Sequence, residues 1–287
     1  MDKNLLYQPH DYGYSFINYP ISEYHIPRFR DYMGTYNLVK TNSIMSVEYT
    51  HKLDKLGKIS KLSNQLIENF ENFEKLKICV CMSYTDNIKE YSQIAEKINS
   101  IYTNKYGYDL RIFHEEMTDR APQWCKIKVI NILLNENKYD YIFWIDSDAY
   151  FNDHNIKLED IIKTTNKDII ICEDNVNSAR KDTVNSGTIF VKCTDWSKKF
   201  FDLLWNYKGK YLYDYFHEQT MIENFIKENK IDCKDHIEIK PSRTFNSEIN
   251  LQLGQKNLDD NFIVHLMTKD KKFRIDYMNK WLKRNKK

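Results

Sequence analysis

The chain has 287 residues, and its 43 basic and 41 acidic side chains leave a formal net charge of +2, which excludes a whole-molecule pull toward nucleic acid. Hydrophobic residues make up 41%, and the 21 Tyr and 15 Phe supply core volume, which excludes wholesale disorder. No stretch approaches the roughly 18 apolar residues needed to cross a bilayer.

Residues 1–50 hold many Tyr and three of the five Pro (Pro9, Pro20, Pro27) with little periodicity, and they read as an irregular extension. From 51 to 74 the apolar residues Leu53, Leu56, Ile59, Leu62, Leu66, Phe70 and Phe73 recur every three or four positions, which predicts a helix. Residues 1–74 are thus expected to pack on a main domain spanning 75–287.

Ile78-Cys79-Val80-Cys81-Met82 predicts a first strand buried on both faces. A helix follows with Tyr91, Ile94, Ala95, Ile98, Ile101 and Tyr102 on one face, and Gly107 ends it. Leu110–Phe113 is the second strand. Pro122 opens the next helix, where its missing N–H costs least, with Trp124, Ile127, Ile130, Leu133 and Leu134 as its stripe. Tyr141-Ile142-Phe143-Trp144-Ile145 is the clearest strand. Further strands are expected at 169–172, 188–191 and 262–265, helices near 195–206 and 216–229, and a polar, basic helix at the end.

Alternating strand and helix from 77 to about 172 call for an α/β fold with a mostly parallel sheet and helices on both faces. Ligands in such sheets bind beyond the carboxyl ends of the strands. Asp146-Ser147-Asp148 follows the third strand directly. Charge at the mouth of a buried strand is destabilising unless paired or bound to a cation. Alternate residues of an extended chain lie about 6.6 Å apart on one side, so one Mg²⁺ or Mn²⁺ could engage both carboxylates, directly or through water. The bland alternative is a turn capped by Asp146 with Asp148 solvated.

The six Cys form no Cys-x-x-Cys pair, so they read as buried apolar side chains rather than a zinc site. The N-terminus opens no signal peptide and no Asn-x-Ser/Thr sequon occurs, so a cytoplasmic location is expected. The basic terminus Lys283-Arg284-Asn285-Lys286-Lys287 reads as a solvated end in preference to a membrane-surface or phosphate-binding tail.

Tyr141–Phe151 resembles the signature of GT-A glycosyltransferases, and is most similar to the galactosyl/xylosyltransferase family of fungal α-galactosyltransferases and plant xyloglucan xylosyltransferases. Pro122–Ile127, Asn185–Val191, the Trp196 region, His217-Glu218-Gln219 and Phe262–His265 resemble further family elements in the same order, over about residues 77–270. The resemblance implies a GT-A-like, Rossmann-type domain moving a hexose or pentose from a nucleotide-sugar, expected to be UDP-linked, to a glycan or other hydroxyl, with anomeric retention. It implies Asp146, Asp148 and His265 as metal ligands, and Lys126, Asp146, Ser147 and Lys269 at the nucleotide-sugar. Glu218, Gln219 and Asn185 would line the sugar and acceptor pocket, with Gly187 permitting close backbone approach. Glu173-Asp174 could also reach the donor sugar, although a capped turn is the preferred reading. His217 stands where the family has an acid, the family's Lys after the metal His is Lys269 or Lys271, and the family's membrane anchor has no counterpart. Two other classes stay open: an Asp-x-Asp phosphatase or phosphotransferase, against which Tyr150 speaks, and a non-catalytic carbohydrate-binding protein with an aromatic platform.

Overall fold

A computed structural model describes residues 76–114, 119–174, 183–248 and 261–285. The expected N-terminal extension and its helix over 51–74 lie outside the described residues.

Strand β1 (Ile78–Ser83) is followed by helix α1 (Lys89–Tyr106), which ends where Gly107 takes the left-handed conformation (φ 72°) and donates its N–H to Thr103 O. Strand β2 (Asp109–Phe113) comes next. A 3₁₀ turn, Pro122–Trp124, leads into α2 (Cys125–Asn135) and then β3 (Tyr141–Ile145), whose residues are all buried. Three short elements follow, β4 (Ala149–Phe151), α3 (Leu158–Ile162) and β5 (Ile169–Glu173). Strand β6 (Val184–Lys192) precedes α4 (Asp195–Asn206) and α5 (Glu218–Lys227). The chain continues through α6 (Cys233–His236), β7 (Ile237–Lys240), β8 (Ser247–Glu248), β9 (Ile263–His265) and α7 (Lys271–Arg284). All six cysteines are free.

The main sheet has the order β2-β1-β3-β6-β5-β7. Strand β6 is antiparallel to both neighbours, and the other neighbouring pairs are parallel. A second sheet, β4-β9-β8, stands beside it. Successive side chains of β1 and β3 enter opposite cores. Val80, Met82, Phe143 and Ile145 pack toward α1, α7 and the small sheet, while Cys79, Cys81, Ile142 and Trp144 pack toward α2, α4 and α5. This two-sided burial is why these strands read as continuous apolar runs instead of alternating patterns.

Two consequences place the site. Because β6 runs against β3, its beginning, not its end, lies at the carboxyl edge of the sheet. Asn185-Ser186-Gly187 therefore faces Asp146, whose N–H donates to Gly187 O at 2.8 Å. These residues belong to the strand itself, earlier than the expected start at 188. The small sheet then sets Ala149 opposite His265 and gives Leu266 N–H to Asp148 O at 2.9 Å, locking the late histidine to the aspartate turn. Asn99 of α1 fixes β4 from behind, donating to Ala149 O at 3.2 Å and accepting from Phe151 N–H at 3.0 Å.

Candidate active site

Asp146, Ser147 and Asp148 form a turn, with Ala149 N–H donating to Asp146 O at 2.9 Å, and not the extended segment that strand continuation predicts. The chain must leave one sheet and enter the other here, and the turn still gathers both carboxylates with His265. Asp146, Asp148 and His265 each offer a ligand atom within 4.8 Å of the others.

Each of the three side chains is tethered on its outer side and turned toward the other two on its inner side. Asp146 Oδ1 accepts from Trp144 Nε1 at 2.7 Å and pairs with Lys126 Nζ at 3.2 Å, while its Oδ2 lies 3.9 Å from His265 Nε2. Asp148 Oδ2 pairs with Arg274 Nη2 at 2.8 Å, while its Oδ1 lies 3.2 Å from the same imidazole nitrogen. His265 is 4% exposed, and its Nδ1 lies 2.9 Å from Asn246 Oδ1. Since a side-chain amide oxygen only accepts, Nδ1 carries a proton and donates, and Nε2 is the nitrogen presented to the carboxylates. Outer partners of this kind are what fix the ligands of a metal centre.

Behind this group lies a buried polar lattice. Asn246 Nδ2 donates to Asn185 Oδ1 at 2.7 Å, and the same oxygen accepts from Gly187 N–H at 2.9 Å. Asn185 Nδ2 contacts Met267 Sδ at 3.3 Å. Gly187 admits the imidazole: a Cβ there would lie 2.2 Å from His265 Cε1 and 2.6 Å from Nδ1. Lys126, in the first turn of α2, is buried, with Nζ 2.9 Å from both Ser186 O and Glu218 Oε1. Glu218 Oε1 also accepts from Ser186 Oγ at 2.9 Å. Gln219 Oε1 accepts from Ser186 N–H at 3.1 Å. Arg274 lies over the Tyr91 ring and donates from Nε to Leu266 O at 3.2 Å, which aims its guanidinium at Asp148.

The electrostatics follow these partners. Burial pushes the Asp148 carboxyl up, but His265 and Arg274 outweigh it and hold the group below its ordinary range. Burial likewise pulls His265 down, and Asp148 and Asp146 reverse this, so its pKa is raised. Lys126 is raised because Asp146 and Glu218 together overcome its desolvation. A cation binding among these side chains would displace the Nε2 proton of His265.

The cluster opens into a cavity of about 570 Å³, within the range of small-molecule sites. Its lining includes Lys126, Asp146, Asp148, Asn185, Gly187, Glu218, Gln219 and His265, together with Asp174. Ser147, half-buried in the turn, is outside that lining, and so is Lys269, which follows the lining residues Met267 and Thr268. Glu173 is exposed at the end of β5. His114 lies elsewhere, its ring edge-on to Tyr84. Two polar atoms in the lining are buried without a hydrogen-bond partner, Glu218 Oε2 and His217 Nδ1. His217 also holds an unusual backbone conformation (φ 51°, ψ −123°) just before α5, a strained geometry that clusters at functional sites.

Sequence reading alone did not find Arg274 or Asn246. Arg274 sits on the helix read only as polar and basic, and nothing local marks it. Asn246 follows a 3₁₀ turn, Ser242–Thr244, in a stretch without periodicity. A buried strand ending in histidine needs a partner for its second nitrogen, and that requirement is the one available signal for such a residue.

No family model matches the sequence, and no curated protein matches the chain. Solved structures do. A glycosyltransferase involved in the glycosylation of the major capsid of PBCV-1 is 14% identical with a TM-score of 0.59, covering 71% of this chain and 99% of that one. The galactosyltransferase LgtC, solved with donor and acceptor sugar analogs, is 11% identical over 73% of this chain and 96% of that one, with a TM-score of 0.47. The glycosyltransferase GlyE of Streptococcus pneumoniae TIGR4 is 13% identical over 73% of this chain and 64% of its own, with a TM-score of 0.44. The likeness to the viral enzyme is one of fold, and the chain has a GT-A-like α/β fold with a mostly parallel central sheet flanked by helices.

Proposed function

We propose that this chain is a metal-dependent glycosyltransferase that moves a sugar from a nucleotide-sugar, UDP-linked by our reading, to a hydroxyl acceptor. The observation that carries the proposal is the convergence of Asp146 Oδ2, Asp148 Oδ1 and His265 Nε2 on one another at the carboxyl edge of a GT-A-like sheet. Two carboxylate oxygens and one imidazole nitrogen suit a divalent ion of the Mn²⁺ or Mg²⁺ class, and they leave positions for diphosphate oxygens. When bound, such a cation would neutralise a diphosphate and stabilise it as a leaving group.

The chain's own residues supply the rest. Lys126 and Arg274 hold the outer oxygens of the two aspartates, so the other oxygens stay aimed inward. Lys126 is engaged by Ser186, Glu218 and Asp146, so it acts on the donor as a buried positive charge behind the aspartate rather than as a free hydrogen-bond arm. Glu218 Oε2, buried and unpaired, is placed to accept from a sugar hydroxyl, and the adjacent Gln219 shares that wall. Asn185 positions Asn246, and through it His265. In the transfer, the bond from the anomeric carbon to the diphosphate breaks with its electron pair leaving on the diphosphate. The acceptor oxygen forms the new bond and releases its proton. Retention of configuration, the galactosyl/xylosyltransferase likeness and a catalytic domain at 75–287 enter the proposal from the sequence resemblance. No helix among the described residues is long and apolar enough to cross a membrane.

Calorimetry with UDP and Mn²⁺ tests the proposal. The wild-type chain should bind UDP only with the metal present, and Asp148→Ala should abolish that binding while the circular-dichroism spectrum stays unchanged. Equal affinity in the variant refutes the metal role. A donor screen for metal-dependent nucleotide-sugar hydrolysis then identifies the sugar. Phosphate-ester hydrolysis in its place would select the phosphatase alternative.

A further inference from the structure

Three aromatic side chains near the mouth of the cavity are exposed: Tyr213 (78%), Tyr215 (83%) and Phe216 (40%), and all three line it. Singly exposed apolar side chains are ordinary, but large aromatics gathered on the wall of one cavity mark a binding surface. The segment is held in place by its own hydrogen bonds. Asp214 Oδ1 accepts from Phe216 N–H at 3.2 Å and from Thr220 Oγ1 at 2.6 Å. His217 N–H donates to Asp214 O, and Gln219 N–H donates to Phe216 O, both at 3.0 Å. The preceding turn is anchored from below, where Leu212 is buried and its carbonyl accepts from Trp124 Nε1 at 3.3 Å. Tyr215 and Phe216 meet edge to face, with ring centroids 4.9 Å apart.

Beside this wall are the two buried, unpaired polar atoms, His217 Nδ1 and Glu218 Oε2. A ligand that matches both must offer a flat apolar face and hydroxyl groups along its edge. A pyranose ring has that shape: C–H bonds gathered on one face and hydroxyls around the rim. A peptide carrying a single serine hydroxyl has neither in the same geometry. We propose that Tyr213, Tyr215 and Phe216 form an acceptor subsite for a saccharide, with His217 Nδ1 receiving one of its hydroxyls. The inference rests on the glycosyltransferase reading and names the acceptor class for it. His217 also holds its strained backbone at this same wall, a geometry that clusters at functional sites.

Saturation-transfer NMR on the full chain with methyl gluco-, galacto-, manno- and xylopyranosides tests the subsite without needing turnover. At least one glycoside should receive saturation on the C–H protons of one ring face. Tyr215→Ala should weaken that binding about tenfold or more, and Tyr215→Phe should retain it. Because Tyr215 is 83% exposed, the alanine variant is expected to fold, and its melting temperature checks this. The proposal is overturned if no glycoside binds the wild type, or if Tyr215→Ala binds it equally well. Titration of the wild-type chain with UDP and Mn²⁺ separates the two readings. Saccharide binding without nucleotide binding sinks the transferase function and keeps the wall, and the converse sinks the wall alone.

Discussion

Replacing Gly187 by alanine isolates the arrangement on which the site depends. The backbone at Gly187 is not in the left-handed region, so the substitution has no conformational cost of its own, and the whole effect is contact. The added Cβ would sit 2.2 Å from His265 Cε1, where ordinary contact begins near 3.4 Å. Something must move by about 1.2 Å, the difference between those two distances. The imidazole has little freedom: it is 4% exposed, its Nδ1 is tied to Asn246, and its backbone is paired to both neighbours in the small sheet. The glycine backbone is no freer, since its carbonyl accepts from Asp146 N–H and its strand is laddered to β3 and β5. Metal-ligand distances tolerate about 0.2 Å, so a shift several times larger takes His265 or Asp146 out of the coordination sphere. Loss of an outer-shell partner alone weakens metal sites about 10–100-fold. Displacing a ligand should exceed the upper figure.

The expected result for Gly187→Ala is therefore metal-dependent UDP affinity reduced by at least about 100-fold. A loss of stability of about 1–3 kcal/mol, the usual range for overpacking, should accompany it. Calorimetry reads the first effect and urea denaturation the second. The double variant Gly187→Ala with His265→Ala closes the argument, because removing the ring removes the two shortest contacts of the methyl group and leaves the one to Asn185 Oδ1 at 2.9 Å. The stability cost of the glycine change should fall sharply in that background while binding stays absent. Wild-type binding by Gly187→Ala, or an equal stability cost with and without the imidazole, would show that the close approach does not constrain the site.

Three further predictions follow from the neighbours of the cluster. Lys126→Met leaves Glu218 buried without its cation. It should destabilise the chain by about 3–5 kcal/mol, lowering the melting temperature on the order of 10 °C, and an unchanged melt would refute the pairing. Arg274→Ala frees Asp148 Oδ2, so Mn²⁺ should bind about 10–100-fold more weakly with a smaller change in stability. Arg274→Lys should recover part of that loss, and equal Mn²⁺ affinity in Arg274→Ala would remove the arginine from the site. Glu248, set opposite His265 in the β8–β9 pair, is pushed up to about 7 by burial. A raised acid stabilises the fold fully below its unfolded pKa, and that contribution is lost as pH rises through the folded value. Chelator-treated protein should thus lose stability between about pH 4.5 and 7 relative to Glu248→Gln, and parallel melting curves for the two would contradict it.

Much of this site was legible because β3 is buried on both faces. An uninterrupted apolar run followed at once by two aspartates points to the carboxyl edge of a sheet and to an unmet need for positive charge. Lys126 and His265 entered through the family resemblance, by their order along the chain relative to the aspartates. The direction of β6 was missed although a signal existed. Only residues 174–183 separate β5 from β6, too few for the crossover of about a dozen residues or more that a parallel pair requires. The turn at Asp146–Asp148 stood only as the bland alternative because it depends on the chain changing sheets, and β4, β8 and β9 are two or three residues each, too short to carry a period. Arg274 was beyond reach, since its value depends on α7 lying against α1.

The order in which the charges are fixed explains how the site holds its shape. Asp146, Asp148 and Glu218 would repel one another if left to themselves. Lys126 lies between Asp146 and Glu218, and Arg274 takes the far oxygen of Asp148, so two fixed cations are shared among three carboxylates. One negative charge of the three is left uncompensated, and it is presented inward beside His265. A cation of charge two entering there reverses the local excess to positive, the sign that a diphosphate requires. Because the fixed cations are engaged already, this reversal needs no rearrangement of the protein, and prealigned charge of this kind is what stabilises a leaving group at least cost. The fixed pairs are thus the framework, and the metal-ligand geometry follows from them: substitutions behind the aspartates should damage cation binding before they damage the fold, except at Lys126, where burial makes the two inseparable.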